Sequence, residues 1–268
     1  LERLSEKFVE LTALRKVTMT SGPLEELPNK MEKLNQITFF DISFNQVQTF
    51  NVDVGKWDRL VWLKFPFNNI TRVHPSVWKH KTLVALQANS NLGLRIPDGT
   101  EELFLPTLFV LDMTNNSCLL PSSLGPSELP QIGSLTVDGN QLRDGCFPSG
   151  FENFFDTVQT LGISHLGVTA LPKFITTFHA LRYLDARNNL LSNISSAFES
   201  YIAMQQKSSA GFAIYLSGNP GCSSHPESLP SCEPLCSEYC QSESYLEDGE
   251  CDAGCNSQDC NLDGGDCK

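Results

Sequence analysis

An asparagine recurs along this chain at a spacing near 23 residues, and that recurrence narrows the folds open to it more than any other feature. The template L-x-x-L-x-L-x-x-N-x-L fits at Ile37, Phe40, Ile42, Asn45, Val47 and again at Leu60, Leu63, Phe65, Asn68, Ile70. It recurs through Leu86 to Asn91, Leu111 to Asn116, Leu135 to Asn140, Leu161 to Val168 and Leu184 to Asn189, with weaker copies around Val17 and Leu216. The ninth position falls at residues 22, 45, 68, 91, 116, 140, 166, 189 and 219, and seven of those nine are Asn. The physics agrees with the spacing. Alternation in a short strand points the fourth and sixth positions inward and the third, fifth and seventh outward. An inward Asn amide satisfies backbone groups of its own turn and of the adjacent one. The remainder of each repeat returns on the other side, often through a Pro such as Pro28, Pro97, Pro121 or Pro172. No single repeat covers its own apolar face, so stacking makes the core.

On these residues the chain from about 1 to 232 resembles a leucine-rich-repeat domain. The resemblance implies an α/β solenoid with a parallel β-sheet on the concave face and short helices and coils on the convex face. The interval from Asn189 to Asn219 is longer than the rest, and Ala197–Lys207 has the composition of a longer convex helix. The run Leu216 to Cys222 resembles the end of such arrays, with Cys222 and Cys232 as a capping disulfide. Cys118 and Cys146 lie one repeat apart and are expected to bridge neighbouring coils, two free thiols being the alternative.

Charge and cysteine mark a second unit, and the division predicted is 1–232 and 233–268. Cys232–Lys268 holds ten of the 31 acids and one of the 19 bases, which leaves it at −9 and the preceding residues at −3 of the total −12. Eight of the ten cysteines lie between Cys222 and Cys267, a density that means disulfides or metal. With little apolar beyond Leu246 and Leu262, such a segment needs staples. Its Asp and Glu residues on Gly-rich turns suit a hard cation, Ca²⁺, rather than zinc. The six cysteines 236, 240, 251, 255, 260 and 267, the Cys251-Asp-Ala-Gly-Cys255-Asn256 run and the Asp263-Gly-Gly-Asp266-Cys267 ending resemble a Notch-type repeat, the LNR module. That resemblance implies the pairs Cys236–Cys260, Cys240–Cys255 and Cys251–Cys267. It also implies one Ca²⁺ held by Asp248, Asp263 and Asp266, with Glu243 (or Glu247, since this loop is long) and backbone carbonyls near Glu250 and Asp252. Spacing alone leaves fifteen pairings open.

The disulfides and three N-x-S/T sequons, at Asn69, Asn115 and Asn193, point to glycosylation and a secreted or cell-surface location. No apolar run is long enough to span a membrane and no signal segment opens the chain, so a mature product or a fragment is expected. A cysteine-stapled cap is missing ahead of the first repeat. Either a segment before Leu1, a neighbouring chain (self-association included) or the Leu4–Leu14 stretch, read as an amphipathic helix, is expected to cover that edge.

The acidic balance argues against nucleic acid. No catalytic motif appears and the five His residues (74, 80, 165, 179, 225) share no ligand spacing, so the chain is expected not to be an enzyme. Function in a solenoid is expected on the concave strand positions. There Phe39 with Asp41 and Trp62 with Lys64 occupy adjacent repeats, and Tyr183 and Tyr215 form a second patch. Aromatic neighbours of this kind are interface anchors or ladder partners within the sheet. The function expected is recognition of a protein, peptide or glycan by a receptor or adhesion ectodomain. The alternative is a structural subunit of an extracellular assembly, matrix or filament.

Overall fold

The structure, a computed structural model, describes residues 2–98, 101–193, 195–208, 212–224, 232 and 256. Among these residues eleven short strands alternate with tight turns: β1 (Lys16–Thr18), β2 (Phe39–Asp41), β3 (Thr49–Phe50), β4 (Trp62–Lys64), β5 (Arg72–Val73), β6 (Ala85–Gln87), β7 (Val110–Asp112), β8 (Ser134–Thr136), β9 (Thr160–Gly162), β10 (Tyr183–Asp185) and β11 (Ala213–Tyr215). Nine of them form one sheet in the order β1-β2-β4-β6-β7-β8-β9-β10-β11. Every pair in it is parallel and the register advances by one coil per strand, with Phe39 opposite Trp62, Trp62 opposite Ala85, and so on to Tyr183 opposite Ala213. The predicted solenoid is therefore present. On the return side β3 pairs β5.

Each strand of the nine-stranded sheet is three residues long because only its central side chain has a core to enter. Phe40, Leu63, Leu86, Leu111, Leu135, Leu161 and Leu184 fill that place and are fully buried, each contributing about 1.5–3 kcal/mol. The convex segments are 3₁₀ turns, Met31–Lys33, Val54–Lys56, Pro75–Lys79, Phe151–Phe154 and Lys173–Thr177, which send Met31, Val54, Val77, Phe151 and Ile175 inward. Aromatic rings bridge the two walls. Phe40 meets Trp57 at 5.2 Å and Phe50 meets Phe65 at 5.5 Å between centroids.

The long interval before Asn219 is filled by the helix α1 (Ser196–Ser208). It buries Phe198, Tyr201 and Ile202, and the Tyr201 hydroxyl donates to the Phe178 carbonyl at 2.9 Å. At the other end the Leu4–Leu14 helix is corrected. Only Glu6–Glu10 is helical, as a single 3₁₀ turn capped by the Ser5 side chain. It packs on the next convex turn as those turns pack on one another, with Val9 buried, so this segment is the return half of a coil rather than a free amphipathic helix.

The asparagines hold the coils together. Asn68 donates to the Ile42 carbonyl of the preceding coil at 2.9 Å and to Phe65 of its own at 3.1 Å, while its Oδ1 accepts from the Val47 amide at 3.1 Å. Asn91, Asn116, Asn140, Asn189 and Asn219 repeat the arrangement. The residue before each has positive φ, including Phe44 (57°), Phe67 (52°), Ser90 (55°), Asn115 (54°) and Asn188 (51°). That conformation turns the chain sharply enough to bring the amide under the strand.

Cys222 and Cys232 form a disulfide after the last strand. The Cys118–Cys146 bridge is corrected, since both are free thiols. The residue matching Cys118 one coil later is Leu142, and Cys146 stands four positions beyond it, past the Asp144–Gly145 turn with its positive φ. Cys118 is buried and donates to the Asn116 carbonyl, whereas Cys146 is exposed.

Candidate functional site

Because the strands are parallel and in register, side chains at one template position stack into a row across the concave sheet. The third-position row begins Lys16, Phe39, Trp62 and the fifth-position row Thr18, Asp41, Lys64. Trp62 is 38% exposed. The Lys16 ammonium lies 4.8 Å from the centre of the Phe39 ring, and that of Lys64 lies 5.8 Å from Phe39 and 5.4 Å from Trp62. The two aromatic residues thus sit between two cations that make no ion pair among the described residues. Asp41 is placed differently. Its carboxylate accepts from both the amide (2.9 Å) and the hydroxyl of Ser43, so it shapes the turn at the end of its strand.

The far end of the sheet holds a second aromatic pair beside a paired arginine. Tyr183 and Tyr215 approach at 5.4 Å. Arg187 lies 5.7 Å from the Tyr215 ring and grips Asp185 through two bonds of 2.9 and 2.6 Å. Between the two ends, Asp112 accepts from Thr136 at 3.0 Å and Asp138 accepts from the Ser164 amide at 2.5 Å. Gly162 makes this possible, because the Asp138 carboxylate occupies the space a β-carbon would take. Burial, then the charges of Asp185 and Asp112, push the Asp138 carboxyl up to about 7. The same causes, burial first and Asp185 second, raise the Tyr183 phenol far above its usual value.

The structure therefore brings Phe39, Trp62 and Lys64 together, joins Tyr183 to Tyr215, and holds these two groups at opposite ends of one face. Two features were missed from the sequence. Lys16 belongs to a degenerate first copy, so its outward position was not read. Phe44 and Phe67 precede the inward Asn, at the eighth position, which the alternation of a strand does not mark as outward. Their rings stack 4.5 Å apart and are about half exposed. An aromatic at that position in two successive repeats was the available signal.

Asn69, Asn115 and Asn193 are all exposed. The predicted calcium ligands Glu243, Asp248, Glu250, Asp252, Asp263 and Asp266, with the cysteines from Cys236 to Cys267, lie outside the described residues. Among the described residues no cluster of His, Cys, Asp or Glu could hold a metal, and no helix is long and apolar enough to cross a membrane.

Residues 230–268 match the family model of the Notch LNR domain. The LRR protein LIC12759 of Leptospira interrogans superposes with a TM-score of 0.69 at 20% identity, covering 87% of this chain and 57% of that one. The LRR ectodomain of the Arabidopsis thaliana membrane receptor kinase GASSHO1/SCHENGEN3 gives 0.58 at 18%, covering 81% and 29%. The plant peptide hormone receptor RGFR1, in complex with RGF2, gives 0.57 at 18%, covering 81% and 38%. In sequence, the adenylate cyclase of Schizosaccharomyces pombe (strain 972 / ATCC 24843) is 22% identical over 223 residues, which is 81% of this chain and 13% of that protein. This last match corrects the expectation that the chain is not an enzyme, since its relative is named for an enzyme activity. The absence of catalytic motifs describes these 268 residues alone and says nothing of a longer protein. The repeat, the sheet and these matches make the chain a leucine-rich-repeat solenoid followed by an LNR module.

Proposed function

We propose that the chain is an extracellular recognition module that binds a protein or peptide on the first three coils of its concave face. One observation carries this: half-buried Phe39 and exposed Trp62 are neighbours whose rings lie beside the ammonium groups of Lys16 and Lys64, which form no ion pair among the described residues. A ladder serving the sheet alone needs no cation at its rim. Aromatic side chains supply contact area at low entropic cost, and the two lysines favour a partner that presents a carboxylate beside an apolar side chain. In a chain of net charge −12 this positive corner also orients an acidic partner on approach.

Support for the extracellular setting comes from the Cys222–Cys232 disulfide, the exposed sequons and the LNR match, together with the likeness to receptor ectodomains. The receptors' peptides suggest the ligand class by analogy alone. Residues 233–268 are read as a separate module that takes one Ca²⁺. Asp248, Asp263, Asp266 and Glu243, with carbonyls near Glu250 and Asp252, offer the hard oxygen donors this ion requires. Bound, it would neutralise part of a segment that otherwise carries −9.

Peptides selected from a random display library on the full chain test the reading. Those that bind should be rich in Asp or Glu beside an aromatic or aliphatic residue, and should lose about 30-fold in affinity on Trp62→Ala, the equivalent of ~2 kcal/mol. Equal binding to wild type and to the Phe39→Ala/Trp62→Ala variant refutes it.

A further inference from the structure

The stacked Phe44 and Phe67 have no role in that reading. They stand at the far end of β2 and β4 from Phe39 and Trp62, at a position where other coils use Ser, Asn, Gly or His. A bulky side chain at positive φ is disfavoured. Here two in succession hold it while 53% and 47% exposed, and Leu92 of the next coil is 69% exposed. Strain combined with wetted apolar surface marks a place kept for something other than stability.

Phe44 covers the side of Phe67 that faces the preceding coil. On the other side Phe67 and Leu92 line a depression of about 400 Å³ with Ser90, Asn69 and Asn115. No charged side chain lines it, so it suits a neutral polar occupant rather than an ion or a charged peptide. Two of its wall residues open sequons, and they are not equivalent. The Asn115 amide lies flat against Gly139, in the space of a β-carbon, and Ser117 sits at a φ of 53°. The Asn69 side-chain amide makes no hydrogen bond among the described residues, while its backbone N–H donates to Val47; both Asn69 and Thr71 are exposed, and neighbouring Asn68 turns inward to three carbonyls.

We propose that Asn69 carries an N-linked glycan whose first sugar lies in this depression, on the outer face of Phe67 and against Leu92. The proposal rests on the secretory route argued above. Asn69 Nδ2 attacks the anomeric carbon of an oligosaccharide borne on a polyprenyl diphosphate. The C1–O bond breaks as the C1–N bond forms, Nδ2 gives up one proton, and the lipid diphosphate leaves. A sugar ring presents C–H groups on its faces and hydroxyls at its rim. It can lie on Phe67 while Ser90 and Asn115 meet its polar groups. The covalent tether makes the contact intramolecular, so a weak contact is populated almost fully. The carbohydrate then covers apolar surface that the solenoid leaves open and stands clear of the Phe39–Trp62 end.

The full chain, secreted from cells that attach N-glycans, provides the test. Peptide mass spectrometry should find Asn69 modified in nearly all molecules. Trimming to the first sugar should leave the thermal midpoint unchanged, and Asn69→Gln should lower it by about 2–4 °C. In a Phe67→Ser background, which places at this position the residue found at Ser21 and Ser90, Asn69→Gln should have no such effect. Modification of Asn115 or Asn193 with Asn69 bare overturns this proposal and leaves the extracellular reading standing. An equal loss in both backgrounds also overturns it, because the sugar would then act without Phe67. A chain modified at none of the three overturns both.

Discussion

Replacing Asn91 by alanine removes a side chain that is completely buried and bonded at both ends of its amide. Oδ1 accepts from the Ile70 amide at 2.9 Å, and Nδ2 donates to the carbonyls of Phe65 and Ala88 at 3.0 and 3.1 Å. Those carbonyls are shared. Phe65 also accepts from Asn68 at 3.1 Å and Ala88 from Asn116 at 3.2 Å, so each keeps one partner in the variant. The Ile70 N–H keeps none. One stranded donor costs about 1–3 kcal/mol and each of the two lost bonds a net 0.5–1.5 kcal/mol, roughly 2–6 kcal/mol together. Denaturant titration should show the loss, and hydrogen exchange should place it at β4 and β6 rather than along the whole array. Asn68→Ala combined with Asn91→Ala leaves the Phe65 carbonyl bare, so the pair should cost more than the sum of the singles. A loss below about 1 kcal/mol for Asn91→Ala, or strict additivity of the pair, refutes the sharing argument.

Leu166 shows the same rule from the other side. It stands where an Asn is expected, and the donor it fails to serve, the Leu142 N–H, belongs to a loop whose residues 143–146 are exposed and where water reaches. Asn189 Oδ1 accepts from both Leu166 and Val168, which restores the ladder one coil later. The repeat could thus be read from spacing because the amide is required wherever the turn is buried, and it lapses where the turn is wet. The concave aromatics were legible for a related reason, since strand alternation assigns faces. Phe44 and Phe67 were not, because positive φ breaks that alternation and leaves their recurrence at the eighth position as the signal. The Cys118–Cys146 error has the same origin. Counting repeats places the cysteines one coil apart, but the loop at Asp144–Gly145 adds residues that carry the second thiol out of reach.

Further outcomes follow from the charged and sulfur-bearing groups. Asp138, raised to about 7 by burial and by Asp185 and Asp112, contributes stability that is complete below the ordinary carboxylate value and is lost as pH rises through 7. Asp138→Asn should therefore stabilise the fold at pH 8, by about 4 kcal/mol at most, and change little at pH 4; equal effects at both would exclude ionisation as the cause. His80, buried on the Val54 carbonyl, is lowered by desolvation, so its contribution is present above the usual histidine value and is lost as pH falls; His80→Gln should flatten that acid limb of the stability profile. A thiol-labelling reagent should modify Cys146 in the native chain and reach Cys118 only on unfolding; equal rates would contradict their placement. Chelation of Ca²⁺ should expose residues 233–268 to proteolysis and leave the far-UV signal of the solenoid intact, and Asp263→Ala should act likewise; identical digestion with and without chelator removes the metal.

Hydrogen exchange on the full chain, with and without a selected acidic peptide, tests the proposed recognition surface most directly. Protection should rise at Lys16–Thr18, Phe39–Asp41 and Trp62–Lys64 and should vanish with Trp62→Ala. Protection confined to the convex turns, such as Val54–Lys56 or Lys173–Thr177, with the concave strands unchanged, would contradict it.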